Sequence, residues 1–336
     1  MTQYSQGRRQ FLKAAALTGV GIGLGSQVNS LFAKSRGEAG TRVGIIGLDT
    51  SHSVEFTKML NDANADPAYG GFKVVAAYPQ GSKDIPSSVK TIPEYTEKVK
   101  ALGVEITDSI ASLLEKVDVV LLETNDGRRH LEQALPVFKS GKRVFIDKPI
   151  AASLADTKAI FKAAKQYNVP TFSSSALRFI DSIQQVQKGQ IGTVNGVDIF
   201  TPAPTEKTHP DLFWYGIHGV EMLFALLGTG CQQVTRVYTE STDLVTGVWE
   251  GGRIGSLRGT RNGTYAFGGN AFGEKGNAVI GNFESYKPLV LQITEFFKTG
   301  VVPVRPEETL EMIAFMEAAD VSKRKGGVPV KLIRPY

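Results

Sequence analysis

One cysteine, Cys231, and four histidines are all that 336 residues contain of the two softest metal ligands. A lone thiol excludes a disulfide framework within the chain and any cysteine-rich metal cluster. No stripe of lysine and arginine interleaved with aromatics is present, so the sequence lacks the footprint of a nucleic-acid binder. An apolar run long enough to cross a membrane, roughly 20 residues, is also missing; residues 14–25 form a mildly apolar run of 12. The remainder, 42% hydrophobic and 21% charged, is ordinary globular composition that suffices for one large or two medium domains.

The first residues read as an address. Arg8 and Arg9 precede Phe11, Leu12 and Lys13 and then the short apolar run, which resembles a twin-arginine export signal. Cleavage after Ala33 would remove three cations and no acid, so the net charge falls from +5 to +2. The expectation is a signal over residues 1–33 and a mature protein that works in the periplasm or otherwise outside the cytoplasm, with no membrane span once the signal is gone.

From Thr41 onward short apolar runs alternate with amphipathic stretches, the order of a parallel sheet with crossover helices. Residues 42–47, 72–78, 117–124 and 143–149 read as strands, the first buried on both faces because its apolar residues run together. Phe56, Met59 and Leu60 mark the first crossover helix by their spacing. Residues 78–104 carry no regular pattern. After Ser175 the pattern changes: residues 193–202 alternate like an antiparallel strand, residues 216–228 are a helix ended by Gly228, residues 232–298 read as glycine-punctuated β-like runs, and a last helix runs from Pro306 towards Gly326. The expected organisation is a doubly wound α/β domain over residues 41–175 and an α+β domain over 176–336 for substrate binding and oligomerisation.

The stretches "GIIG" (44–47), "TNDGRRH" (124–130), "FIDKPI" (145–150), "ALRF" (176–179) and "QIGTV" (190–194), with the ending "MEAADVSKRKGGVPVKL", together resemble the glucose-fructose oxidoreductase, inositol dehydrogenase and rhizopine catabolism (Gfo/Idh/MocA) family. The resemblance implies a Rossmann domain followed by an open-faced antiparallel sheet, NAD or NADP as cofactor, a small carbohydrate or cyclitol as substrate, and a homo-oligomer formed through the exposed face of the second sheet. It also implies a catalytic pair. Lys148, past the end of a buried strand, matches the lysine that orients substrate beside the nicotinamide, and His218 matches the acid/base histidine. Trp214 stands where the family places the aspartate that partners this histidine; Glu221, three residues on and on the same helical face, is a candidate replacement and substrate contact. His209 belongs to the loop before that helix and is a second candidate for substrate. His130 opens a crossover helix at a position of structural character.

The glycine turn departs from the resemblance. A dinucleotide fingerprint reads Gly-x-Gly-x-x-Gly, whereas here Gly47 is followed by Asp49 and His52 at the other two glycine positions. A carboxylate about 4 Å from a phosphate would be repelled by roughly 4 kcal/mol at an effective dielectric near 20, about three decades of affinity. The acid expected after strand two is missing as well. Gly47, Thr50, Ser51, His52, Thr124, Asn125 and Lys148 are the candidates for lining a cofactor. Two enzymatic readings follow: an exported oxidoreductase with a tightly held nicotinamide, or a redox-neutral lyase, epimerase or hydrolase on the same scaffold, using a divalent metal on some of Asp49, His52, His209, His218 and Glu221. A sugar-binding relic without activity is the third.

Overall fold

The computed structural model describes residues 40–281 and 283–333; the export signal expected over residues 1–33 lies outside them. A strand whose apolar residues run together has to be covered on both faces. In β1 (Arg42–Ile46), Val43 and Ile45 enter one core and Ile46 the other. The split recurs in β4 (Val119–Leu122), where Val119 and Leu121 oppose Val120 and Leu122, and in β5 (Val144–Ile146), where Phe145 opposes its two neighbours. With β2 (Lys73–Tyr78), β3 (Glu105–Ile106) and β6 (Thr171–Phe172) these strands pair in parallel in the order β3-β2-β1-β4-β5-β6. The order reverses direction between β1 and β4, and ligands of such sheets bind outside the strands' C-terminal ends at that reversal.

The crossovers include α1 (Ser51–Asn61), α3 (Ile110–Lys116), α4 (His130–Lys139) and α5 (Leu154–Gln166). Between β2 and β3 lies α2 (Pro86–Ala101), in the stretch that has no legible pattern. Only Ser88 and Val99 of this helix are buried and Pro93 stands inside it, so the stripe is thin and a helix breaker interrupts the pattern.

A second sheet follows α6 (Asp181–Gln187). It comprises β7 (Val194–Pro202), β8 (Cys231–Tyr238), β9 (Thr242–Trp249), β10 (Ile254–Thr260), β11 (Gly268–Gly273), β12 (Gly276–Ile280) and β13 (Val330–Lys331), in the order β12-β11-β7-β10-β9-β8-β13. The sheet is mixed, since β7 and β10 run parallel while the other pairs are antiparallel. Val197 and Ile199 of β7 are buried whereas Phe200, Val237, Ile254 and Val279 are exposed, the alternation of a sheet covered on one face and open on the other.

One segment overturns its sequence reading. Residues 287–298 are not β-like: they form α8 (Lys287–Thr299), with Pro288 in its first turn and Gly300 in the left-handed conformation at its end. Leu289, Val290, Ile293, Phe296 and Phe297 make a helical stripe that enters the core of the first sheet beside Val43, Ile45 and Phe172. Dense β-branched and aromatic residues obscured the helical spacing, because tertiary burial here outweighs local propensity.

His218 is carried by α7 (Ile217–Leu227), all eleven residues of which are buried. A Cβ at Gly219 would lie 2.3 Å from Leu257 of β10 and 2.8 Å from Thr201 of β7, so this glycine sets how closely α7 lies on the second sheet. Arg178, buried in the turn after β6, then joins the layers: its Nε donates to Glu221 of α7 at 2.6 Å and its Nη1 to Glu308 of α9 (Pro306–Arg324). Gly219→Leu is expected to lift α7 and lower stability by about 1–3 kcal/mol, the usual cost of overpacking; urea unfolding measures it, and an unchanged midpoint would show that the helix is not set by this contact.

Candidate functional site

The crevice above β1 and β4 is built first from backbone. Gly47 has φ +89°, and a Cβ there would lie 2.3 Å from Thr124 Oγ1 and 2.5 Å from its backbone nitrogen. Only glycine tolerates both that conformation and that approach. Thr50 caps α1 by accepting the His52 backbone N–H at 3.4 Å, and no acid stands in the first turn of this helix. Asp49, 4% exposed, turns its carboxylate sideways: Oδ2 accepts the Ser82 N–H and Oδ1 the Asn125 N–H, each at 2.9 Å. Burial pushes its carboxyl up, while these backbone donors pull it down.

Beyond this turn a cavity of about 290 Å³ opens between the two sheets, at the small end of ligand pockets. Thr50, Ser51, His52, Asn125, Lys148 and His218 all line it, together with an aromatic wall that includes Trp214, Tyr215, Phe267 and Tyr286. Lys148 is 6% exposed, and its Nζ lies 5.8 Å above the Tyr215 ring. Tyr215 in turn meets His218 edge-on with centroids 4.8 Å apart. His218 Nδ1 is 2.7 Å from Ser175 Oγ. Burial, then the charges of Lys148 and His52, hold the His218 imidazole well below the ordinary histidine range, so the ring is neutral in the fold. Burial also pushes the Tyr215 phenol up to about 12.

A second imidazole lies across the floor. His52 Nδ1 is 2.8 Å from Asp147 Oδ2 and 3.8 Å from Glu123 Oε2. Its ring stacks on Phe56 at 5.3 Å and meets Tyr286 edge-on at 4.9 Å. Burial would raise Asp147, yet the charge and hydrogen bond of His52 hold it below the usual carboxylate range. Glu123 is fully buried beside Asp147, and burial, followed by repulsion from and a hydrogen bond with Asp147, pushes its carboxyl well up. Asp147 and Glu123 escaped the sequence reading. Their signal is present: each is an acid directly after a strand that is otherwise wholly apolar, "VVLLE" and "VFID".

Other candidates fall elsewhere. Glu221 does not partner His218; its carboxylate is taken by Arg178, with the Ser174 hydroxyl 3.5 Å away. This corrects its assignment as a substrate contact, because a carboxylate locked to a buried guanidinium is not presented to a ligand. His209 is packed against Trp214 with centroids 5.1 Å apart and its Nε2 3.4 Å from Asp126; it stands behind the tryptophan and does not line the cavity. Gly47 and Thr124 form the floor beneath the crevice. His130 spans the carbonyls of Thr124 and Ile150, a structural clamp. The five candidate metal donors do not converge among the described residues: Asp49 holds amides, Glu221 holds Arg178, His209 faces Asp126, and His52 lies instead beside Glu123 and Asp147, neither of them among the five.

Residues 41–175 match the oxidoreductase family model described as an NAD-binding Rossmann fold, the Gfo/Idh/MocA family. An uncharacterized oxidoreductase of Streptococcus pneumoniae is 28% identical over 109 residues, which is 30% of this chain and only 29% of that relative's length. The scyllo-inositol dehydrogenase of Lactobacillus casei, solved with bound NAD(H) and scyllo-inositol, superposes with a TM-score of 0.69 at 17% identity over 87% of this chain and 99% of its own. The myo-inositol 2-dehydrogenase of Lactobacillus plantarum gives 0.72 at 17% identity over 87% and 99%. At such identities the superpositions speak for the fold alone, the expected pairing of a Rossmann sheet with a second sheet; that sheet is mixed through the β7/β10 pair, not antiparallel throughout as the resemblance implied. The family model thus covers the Rossmann domain, residues 41–175, and the whole chain shares the two-domain fold of these dehydrogenase structures.

Proposed function

We propose that the protein is an exported oxidoreductase that converts a carbinol of a small sugar or cyclitol to a carbonyl, or the reverse, with a tightly held nicotinamide. The observation that carries this reading is that Lys148 from the first sheet and His218 from α7 on the second line one cavity beside the β1/β4 reversal. The aromatic wall suits the apolar faces of a ring whose edges carry hydroxyls. Support for a carbohydrate comes from the inositol dehydrogenases of like fold, and support for export from Arg8 and Arg9. The exposed apolar positions on the second sheet, Val237, Ile254 and Val279 among them, favour a homo-oligomer through that face.

The donor set fits a nicotinamide. Gly47 keeps the tight turn, Thr50, Ser51 and Asn125 line the approach, and the first turn of α1 is free of acids. Asp49 does not aim a bare charge at the crevice, because two backbone amides hold its carboxylate. A bound nicotinamide would supply the hydride acceptor. Lys148 donates a hydrogen bond to the reacting oxygen and stabilises negative charge as the O–H bond breaks. His218, kept neutral, orients the hydroxyl and adds no positive charge beside Lys148. A protein working outside the cytoplasm meets no pool of free cofactor, so one retained from folding would be oxidised and reduced in place.

Acid denaturation of the purified holoprotein is expected to release nicotinamide nucleotide in near-stoichiometric amount; a clean blank, with no uptake from millimolar NAD or NADP, would overturn the proposal and favour the redox-neutral reading that the carboxylate of Asp49 suggests. Lys148→Ala should lower turnover on a panel of cyclitols and aldoses by about 10²–10³-fold, the range of a lost donor to developing negative charge, with the circular dichroism unchanged. Because the His218 value is depressed on folding, the unfolded chain binds more protons between that value and about 6.5, and stability rises with pH across the window. Wild-type Tm is therefore expected to fall as pH drops below about 6.5, and His218→Gln should make that acid-side slope shallower; identical slopes would show that His218 is not held neutral.

A further inference from the structure

We propose that His52, hydrogen-bonded to Asp147, is the acid–base residue of the cavity, in place of a His218 that has no carboxylate partner. The inference rests on the oxidoreductase reading for the overall reaction. An imidazole that accepts a proton during turnover is helped most by a carboxylate on its far nitrogen, which fixes the tautomer and stabilises the imidazolium. Two imidazoles line this cavity, and only one has such a carboxylate. His218 Nδ1 meets the Ser175 hydroxyl at 2.7 Å, and Trp214 stands where an aspartate would be needed. His52 Nδ1 meets Asp147 at 2.8 Å.

The chemistry of the pair sets the tautomer. A carboxylate can only accept, so the proton between them belongs to Nδ1 and Nε2 keeps its lone pair for a ligand. Phe56 and Tyr286 hold the ring plane from two sides. Every element packed around the ring adds a group that bears on its charge: β4 ends in Glu123, β5 is followed by Asp147 and Lys148, the turn before α8 brings Tyr286, and α7 brings His218. The two carboxyls lie on the Nδ1 side. Glu123, 3.8 Å from the same nitrogen, lies against Asp147 as a second buried acid.

In the step this supports, the substrate O–H bond breaks and its proton passes to His52 Nε2. A bound nicotinamide would accept the carbinol hydride as the C=O bond forms, and the imidazolium at His52 is paired with Asp147. In reduction the same proton returns to the alkoxide oxygen. His52 thus does two things at the position of the third fingerprint glycine: it fills the space that glycine leaves open and brings a base to the crevice.

Carbethoxylation by diethyl pyrocarbonate, which attacks a neutral imidazole nitrogen, tests the inference on wild-type holoprotein without knowledge of the substrate. Peptide mass spectrometry is expected to find His52 modified, and Asp147→Asn should slow that modification by at least about tenfold, as befits the loss of one charge-assisted hydrogen bond. Should a turnover assay be in hand, Asp147→Asn is expected to lower kcat and displace the acid limb of the pH–rate profile with little change in KM. An unmodified His52 beside a modified His218 would overturn the inference, as would a modification rate indifferent to Asp147→Asn. The two proposals fail separately: reactive His52 with no releasable nicotinamide sinks the oxidoreductase reading, and releasable nicotinamide with an inert His52 sinks this one.

Discussion

The site depends on one carboxylate that ties three loops together. Asp49 leaves the turn after β1 and accepts an amide from Ser82 after β2 and another from Asn125 after β4. A Cβ at Gly81 would lie 2.1 Å from this carboxylate, so the loop after β2 has been drawn against it. In an ordinary dinucleotide fold those loop ends are available to the ligand. Here the protein supplies an anion of its own, and the charge that would repel a diphosphate is spent on main-chain donors. The turn is thereby held in place without a ligand.

A second constraint places the chemistry between the sheets. Lys148 comes from the first sheet and His218 from a helix laid on the second, so the cavity exists only while the layers keep their register. Arg178 enforces this, since it is buried and pairs with both Glu221 of α7 and Glu308 of α9. Breaking a buried pair by removing one partner leaves an uncompensated charge. That explains why Glu221 cannot serve the histidine three residues before it: it is already committed to the joint. α8 makes a complementary return journey, carrying five apolar side chains from the second half of the chain into the core of the first sheet.

The fold was largely legible and the site only in part. Strands buried on both faces, such as β1 and β4, announce themselves as continuous apolar runs, and the order of runs and helices fixes a Rossmann sheet. Lys148 and His218 were found through motif resemblance, and Thr50, Ser51, His52 and Asn125 through their place in the two turns; all six meet in the cavity. What stayed hidden has a common cause. α2 shows only a thin stripe, Ile92, Tyr95 and Val99, interrupted by Pro93, and α8 carries its stripe in residue types that favour strands. Glu123 and Asp147 are single acids at strand ends, 24 residues apart in sequence, and nothing local says that both point at His52. Pairings across a parallel sheet are long-range by construction, so spacing rules built on helices and hairpins do not reach them.

Electrostatics then decide how the cavity divides its labour. Lys148 brings a fixed positive charge, and a second cation at His218 would lie next to it in a medium that screens poorly. The fold answers by keeping His218 neutral against a hydroxyl while placing both buried acids on the opposite wall, behind His52. A proton arriving in the cavity is therefore stabilised on one side and resisted on the other. Had an aspartate stood at Trp214, the balance would tip towards His218 and the acids under α1 would be a liability without purpose. The carboxylate that pairs an imidazole in this cavity thus stands at the end of β5, as Asp147, and not on the second sheet, where Trp214 lies beside His218.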